Sequence, residues 1–313
     1  MIKEGSPVLQ KIIRRALATV VVLIGVSIIA FLLVRLAPGD PAKLMLPDTA
    51  TEETIQAMRE KMGTDKPLFI QYLTYMKNVL KGDLGTSYHY NRSCSQLIFS
   101  RLPSTAKLAG FGMLLSLCFS IPLGMIAGIK KGSFIDTLSM FFAMIGQSMS
   151  HVWLGLMLIL IFAVNLKWLP SMGTGTFKHM IMPAIVIGFQ FSALATRMVR
   201  SGMIDVLQED YITATRAKGI SKFKVYTKYA FKNALLPVVT VVGSQVGAMM
   251  SGSMVIETVF SWPGIGSLTT QAIYNRDYQL IQSILLISAT IFVVCNLLVD
   301  ILYTFIDPRI SFN

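Results

Sequence analysis

Charge is scarce in this sequence. Asp, Glu, Lys and Arg make up 14% of its 313 residues, where an average soluble domain carries about a quarter. With 53% apolar residues and a mean hydropathy of +0.61, the chain has too little polar surface for an ordinary soluble fold and reads as an integral membrane protein. Histidine is nearly missing: His89, His151 and His179 stand in three separate segments, none with a second His or a carboxylate at helical metal-ligand spacing. No metal site is expected from them. Cysteine is limited to Cys94, Cys118 and Cys295, the last two inside apolar runs, which offers neither a disulfide framework nor a paired thiol site. A glycine-rich phosphate loop of the Walker type is absent, so ATP hydrolysis would have to come from another chain. An intramembrane hydrolase or transferase would need paired carboxylates, or Ser with His, at depth; Asp300 stands alone. An ion-coupled secondary transporter would want inverted repeats and charged midplane residues, and neither is evident. No catalytic group and no cofactor is expected in the chain.

Apolar length is what the chain has in abundance. A bilayer core of about 30 Å takes roughly 20 helical residues, and six runs meet that need, at about 16–36, 105–129, 135–165, 181–199, 237–256 and 281–304. The third is too long for one upright crossing and too short for two with a turn. Its polar patch at 146–151, GQSMSH, marks a break or bend. The first run follows Lys11, Arg14 and Arg15 and exceeds the apolar stretch of a signal peptide, so it reads as an uncleaved span with a cytoplasmic N-terminus. Six crossings return both termini to the cytoplasmic side of the cell membrane.

The net charge of +12 is an orientation signal rather than a mark of nucleic-acid binding. Arg197, Arg200, Arg216, Lys218, Lys222, Lys224, Lys228 and Lys232 face only Asp205, Glu209 and Asp210 in the loop after the fourth run, and Lys130 and Lys131 lie in the turn after the second. Both connections belong inside. The opposite side holds 37–104, a small helical cap. Thr51 is suited to N-cap one helix that has Glu52 and Glu53 in its first turn and stops at Gly63; Pro67 starts a second that ends at Gly82.

Within the basic loop, 210–218 is helix-compatible, Gly219 suits a left-handed stop, and Ser221 suits an N-cap of the next helix. That second helix would set Lys224, Lys228 and Lys232 on one face and Phe223, Tyr226, Ala230 and Ala234 on the other. From the residues alone it is a membrane-surface helix against lipid headgroups. The string from Asp210, DYITATRAKGISKFKVYTKYAFKNALLP, also resembles the cytoplasmic signature loop of ABC-importer permease subunits of the peptide/nickel family. Similar strings stand in order along nearly the whole chain: APGDP at 37–41, LGTSY from Leu84, RLPSTAKLAG from Arg101, ETVFSWPGIGSLTTQAIYNRDYQLIQ from Glu257 and DPRI from Asp307. One departure is visible. Where importer permeases at large have Glu-Ala-Ala six residues before the glycine, this chain has Thr213, Ala214 and Thr215, so no role of that glutamate carries over.

The resemblance implies an all-α integral membrane protein with six transmembrane helices, the type I ABC-importer permease fold and a small external cap. It divides the chain into 1–36, the N-terminus and first span; 37–104, the cap; and 105–313, a five-helix core containing the coupling loop 200–236. It implies a second homologous permease subunit, two cytosolic ATP-binding subunits and an external solute-binding protein as partners, besides membrane lipid. Contact with the ATPase falls on Thr213, Ala214, Thr215, Arg216, Lys218, Gly219, Ile220 and Ser221.

In the fifth run, Gly243, Gly247 and Ser251 form one small-residue row and Ser244, Ala248 and Gly252 a second. These rows either pack closely against another helix or line a path. Glu257 and Asp277 are either an external gate or docking rim, or merely solvated charges. Asn296 and Asp300 lie one turn apart in the sixth run, where an ionisable group faces protein or water. Asp300 is expected to pair with a base of the loop, with substrate contact as the alternative. For cargo, peptides lead, a nickel or other metal chelate follows, and an ion-coupled transporter is the remaining reading.

Overall fold

The computed structural model describes residues 7–36, 41–44, 46 and 49–306. APGDP and DPRI therefore fall almost wholly outside the described residues. Helix α1 spans Pro7–Leu36, α2 Pro41–Leu44, α3 Glu52–Met62 and α4 Leu68–Leu80. A two-residue hairpin, β1 (Thr86–Ser87) paired antiparallel with β2 (Arg92–Ser93), leads into α5, Cys94–Ile129. Next come α6 (Phe134–Ser148), α7 (His151–Leu158) with a π-helical continuation Ile159–Asn165, and α8 (Phe177–Leu207). The loop region holds α9 (Asp210–Ala217), α10 (Lys222–Lys224), a π-helical turn Val225–Ala230 and α11 (Phe231–Ala234). The chain closes with α12 (Leu236–Met250), α13 (Met254–Val259), α14 (Ile265–Tyr274) and α15 (Tyr278–Ile306).

Local chemistry accounts for the cap as expected. Thr51 Oγ1 accepts from the Thr54 N–H at 3.4 Å, and Gly63 ends α3 at φ +66°. Pro67 sits just ahead of α4, and Gly82 follows its end at φ +82°. The small hairpin is the one departure from an all-helical chain among the described residues.

Among the described residues, length and apolarity qualify four helices to cross a membrane: Leu17–Leu36, Cys94–Ile129, Phe177–Leu207 and Tyr278–Val299. A fifth crossing is available if Phe134–Ser148 and His151–Asn165 count as one span, and these meet at 103°. The break expected at 146–151 is thus a sharp bend between α6 and α7. The expected fifth run is cut short: α12 has 15 residues and ends where Gly252 takes φ +89°.

Helices α5 and α8 form the central seam. A Cβ added to Gly124 would stand 2.7 Å from the Thr196 carbonyl oxygen, one on Gly128 2.6 Å from Met203 Cβ, and one on Gly188 2.7 Å from the Gly112 carbonyl oxygen. Without a hydrophobic drive between helices in lipid, such backbone approach is what makes them adhere. Three apolar clusters surround the seam. Leu108, Met182, Ile256 and Phe260 join α5, α8 and α13. Ile98, Leu268, Leu280 and Ile284 join α5 to α14 and α15. Met203, Ile212, Val225 and Ala234 fasten α9 and the basic helix under α8. Helix α1 lies against α15 and leaves Leu17, Val21 and Leu33 bare, as a lipid-facing helix does.

Candidate functional site

The basic loop builds a short exposed helix on a firm base. Gly219 has φ +74°, with open space around the missing Cβ, so its backbone and not crowding selects glycine. Thr213, Ala214, Arg216, Lys218, Gly219 and Ser221 are exposed and Ile220 is half-buried. Thr215 is the correction to the expected contact set: it is buried, and its hydroxyl donates back to the Tyr211 carbonyl at 2.6 Å. It faces the protein because Ile212 and Thr215, three apart, form the buried stripe of α9. Ser221 precedes α10 without a side-chain capping bond.

In the following helix Lys224, Lys228 and Lys232 are exposed and Ala230 and Ala234 are fully buried, but Phe223 is 75% exposed. Val225, not Phe223, takes the buried place at this end of the stripe. The π-helical turn Val225–Ala230 lengthens the local repeat and rotates the apolar stripe away from a strict 3.6 period. Tyr211 ties the two helices together, donating to the Tyr229 carbonyl at 3.3 Å and accepting from Asn233 Nδ2 at 2.7 Å.

The two small-residue rows of α12 separate. Gly243 meets Val299, Gly247 meets Phe292, and the Ser251 hydroxyl donates to the Ser288 carbonyl at 3.2 Å, so this row is the packing seam with α15. Ser244 and Ala248 are exposed. Gly252 leaves the second row and lies against α14, where an added Cβ would be 2.7 Å from the Gly266 nitrogen.

Glu257 and Asp277 are not solvated rim charges; each is 1% exposed. The Glu257 carboxylate accepts from the Thr105 hydroxyl and the Ser267 N–H, both at 3.0 Å. Burial pushes its carboxyl above the ordinary value, against the pull of those two donors. Asp277 caps α15 through the Leu280 N–H at 3.1 Å and holds the hairpin through the Ser87 hydroxyl at 2.5 Å and the His89 N–H at 3.2 Å. Both carboxylates sit at helix N-termini, where the helix dipole favours negative charge. Asn296 Nδ2 donates to the Phe292 carbonyl one turn back at 2.8 Å. The Asp300 side chain lies outside what is described.

Residues 120–312 match the family model described as the inner membrane component of binding-protein-dependent transport systems, and residues 8–109 match its N-terminal companion. The chain belongs to this permease family. It is 41% identical to the dipeptide transport system permease protein DppB of Alkalihalophilus pseudofirmus, over 96% of this chain and 98% of that one. Identity is 39% to the oligopeptide transport system permease protein AppB of Bacillus subtilis, over 96% and 99%, and 38% to the glutathione transport system permease protein GsiC of Escherichia coli, over 97% and 100%. The inward-facing MetNI methionine ABC transporter superposes with a TM-score of 0.58 at 15% identity, over 68% of this chain and 97% of that one. That likeness shows the fold, a type I importer permease. The permease is a multi-pass membrane protein and no enzyme; ATP hydrolysis lies on partner subunits, and a binding protein completes the system.

One pair in the permease escaped the sequence reading. Arg200 Nε and Nη2 grip both oxygens of Asp136 at 2.5 and 2.8 Å, and Asp136 also accepts from the Gly132 N–H at 2.9 Å. His151, at the start of α7, bonds to Gln190 in the middle of α8. The start of α6 and the start of α7 are thereby both fastened to α8. The only sequence signal was an acidic residue inside a mostly apolar run.

Proposed function

We propose that the permease forms one half of the translocation pathway for short peptides in an ATP-driven importer. A second, homologous permease subunit forms the other half, two cytosolic ATP-binding subunits drive it, and an external solute-binding protein delivers the cargo. The observation that carries the cargo reading is that relatives 38–41% identical over nearly the whole chain are named for dipeptide, oligopeptide and glutathione transport. The exposed Ser244 and Ala248 face of α12 is the wall we assign to the pathway, since small side chains leave room for a bulky solute. The exposed face of α9, Thr213, Ala214, Arg216 and Lys218, is the ATPase contact. Gly219, Ile220 and Ser221 form the elbow behind it.

Six crossings with both termini inside fit this reading. Helix α12, about 22 Å long at 1.5 Å per residue, is the fifth of these in chain order, entered from the basic helix and closed by the turn at Gly252. Among the described residues no group of three or more His, Cys, Asp or Glu side chains could hold a bare metal ion.

Calorimetric titration of the partner solute-binding protein, followed by uptake into vesicles holding ATP, tests the cargo. Di- or tripeptides are expected to bind and to accumulate. Tight binding of a nickel chelate with no response to peptides would replace the cargo and leave the permease assignment standing.

A further inference from the structure

Seven buried side-chain nitrogen or oxygen atoms have no hydrogen-bond partner among the described residues, and four of them line a single cavity. They are Arg35 Nε at the end of α1, Gln71 Oε1 and Tyr75 Oη on α4, and Gln282 Nε2 on α15. The cavity measures about 150 Å³, and Lys66 and Asn78 stand exposed at its rim. Gln71 is 9% exposed and Gln282 3%. An unpaired buried group has lost its hydrogen bond to water with nothing in exchange, so four in one place are unfavourable unless something fills the space between them.

The orientation of each group narrows the filler. Gln71 Nε2 donates to the Lys66 carbonyl at 2.6 Å and the Thr64 carbonyl at 3.2 Å, which fixes the amide with its oxygen left as an unused acceptor. Arg35 is held over the Phe31 ring, 5.4 Å from the centroid, and offers N–H donors only. Gln282 Nε2 is a donor, and its amide lies near Tyr75 without meeting it in bonding geometry. Burial pushes the Tyr75 hydroxyl up to about 12, so it stays protonated and free to donate. Three donors, one of them cationic, and one acceptor thus share a space the size of a small organic ion.

We propose that this cavity between α1, α4 and α15 binds a small solute bearing a carboxylate and an N–H group, such as an amino acid or the smallest dipeptide. The carboxylate meets Arg35, Tyr75 and Gln282, and the N–H or ammonium meets Gln71. The site stands apart from the α12 face and does not depend on the cargo assignment.

The test uses the complete permease complex in nanodiscs with Asn78→Cys at the rim and a charged maleimide as reporter. Glycine and diglycine are expected to slow labelling saturably, and methylamine at equal concentration is expected to have no effect. In the Gln282→Leu background, protection should need about tenfold more diglycine, the worth of one lost hydrogen bond to a charged group. Arg35→Lys, which keeps the charge and loses the Nε donor, serves as a second variant with the same expected direction. Protection only by inorganic phosphate, or only in discs rich in phosphatidylglycerol, would assign the cavity to a phosphate group and overturn the proposal. Labelling indifferent to every solute would leave ordered water as the filler.

Discussion

Glu257 and Asp277 show how a carboxylate in a mostly apolar chain is kept affordable. Each is withdrawn from water, and each is placed at the start of a helix with N–H and hydroxyl donors around it. For Glu257, on α13 and outside the spanning helices, burial outweighs the donors and the carboxyl is held above its ordinary 4.5. The native state then binds that proton more tightly than the unfolded chain does. Its contribution to stability is fully present below the ordinary value and is lost as pH rises through the raised one. Wild-type permease complex should therefore lose thermal stability from about pH 4.5 upward, and Glu257→Gln should lack this component while keeping one acceptor for Thr105 or Ser267. Melting curves with the same pH slope in both proteins would show that Glu257 binds its proton equally in the native and unfolded states.

At the scale of elements, the loop joining α8 to α12 is a lever with one elbow, at Gly219. Helix α9 is anchored beneath α8 by Ile212 and Thr215 and to the next helix by Tyr211. Helix α8 in turn carries α6 through Asp136 and Arg200. A push on the exposed face of α9 therefore has a stiff route into the spanning helices, provided that the elbow at Gly219 holds its angle. Gly219→Val opposes a φ of +74° with a β-branched side chain, at a cost of about 1–3 kcal/mol. The variant should insert normally and associate with its ATPase, while ATP-driven uptake falls at least tenfold. Normal uptake would reduce α9 and its successor to a membrane-surface anchor.

For the whole molecule, the two long connections lie at opposite ends of α5 and α8. The cap containing α3 and α4 precedes α5, and the basic loop follows α8. Thr64→Cys should accordingly react with an impermeant reagent added outside intact cells, and Lys224→Cys only after the inside is exposed. Lys224 is exposed and Thr64 half-buried, so labelling of Thr64→Cys in opened membranes is the reference against which silence in intact cells is read as sidedness. The reverse pattern would invert the orientation and remove the basis for placing the ATPase at α9.

What the sequence determined by itself is whatever follows from neighbours along the chain. Thr51, Gly63, Gly82 and Gly219 act within a turn or two of their own position, and the long apolar runs need only length and hydropathy to be recognised. The ordered motifs likewise pointed to the family before any contact was known. Tertiary structure decided the rest, because the deciding partners are far away in the chain. Glu257 meets Thr105 from 152 residues off, Asp277 meets Ser87 from 190, and Asp136 meets Arg200 from 64. Burial of a charge depends on those partners, so a residue that reads as a solvated rim can be an interior staple. The two rows of α12 were indistinguishable in sequence for the same reason. Only the approach of α15 made Gly243, Gly247 and Ser251 a seam and left Ser244 and Ala248 open.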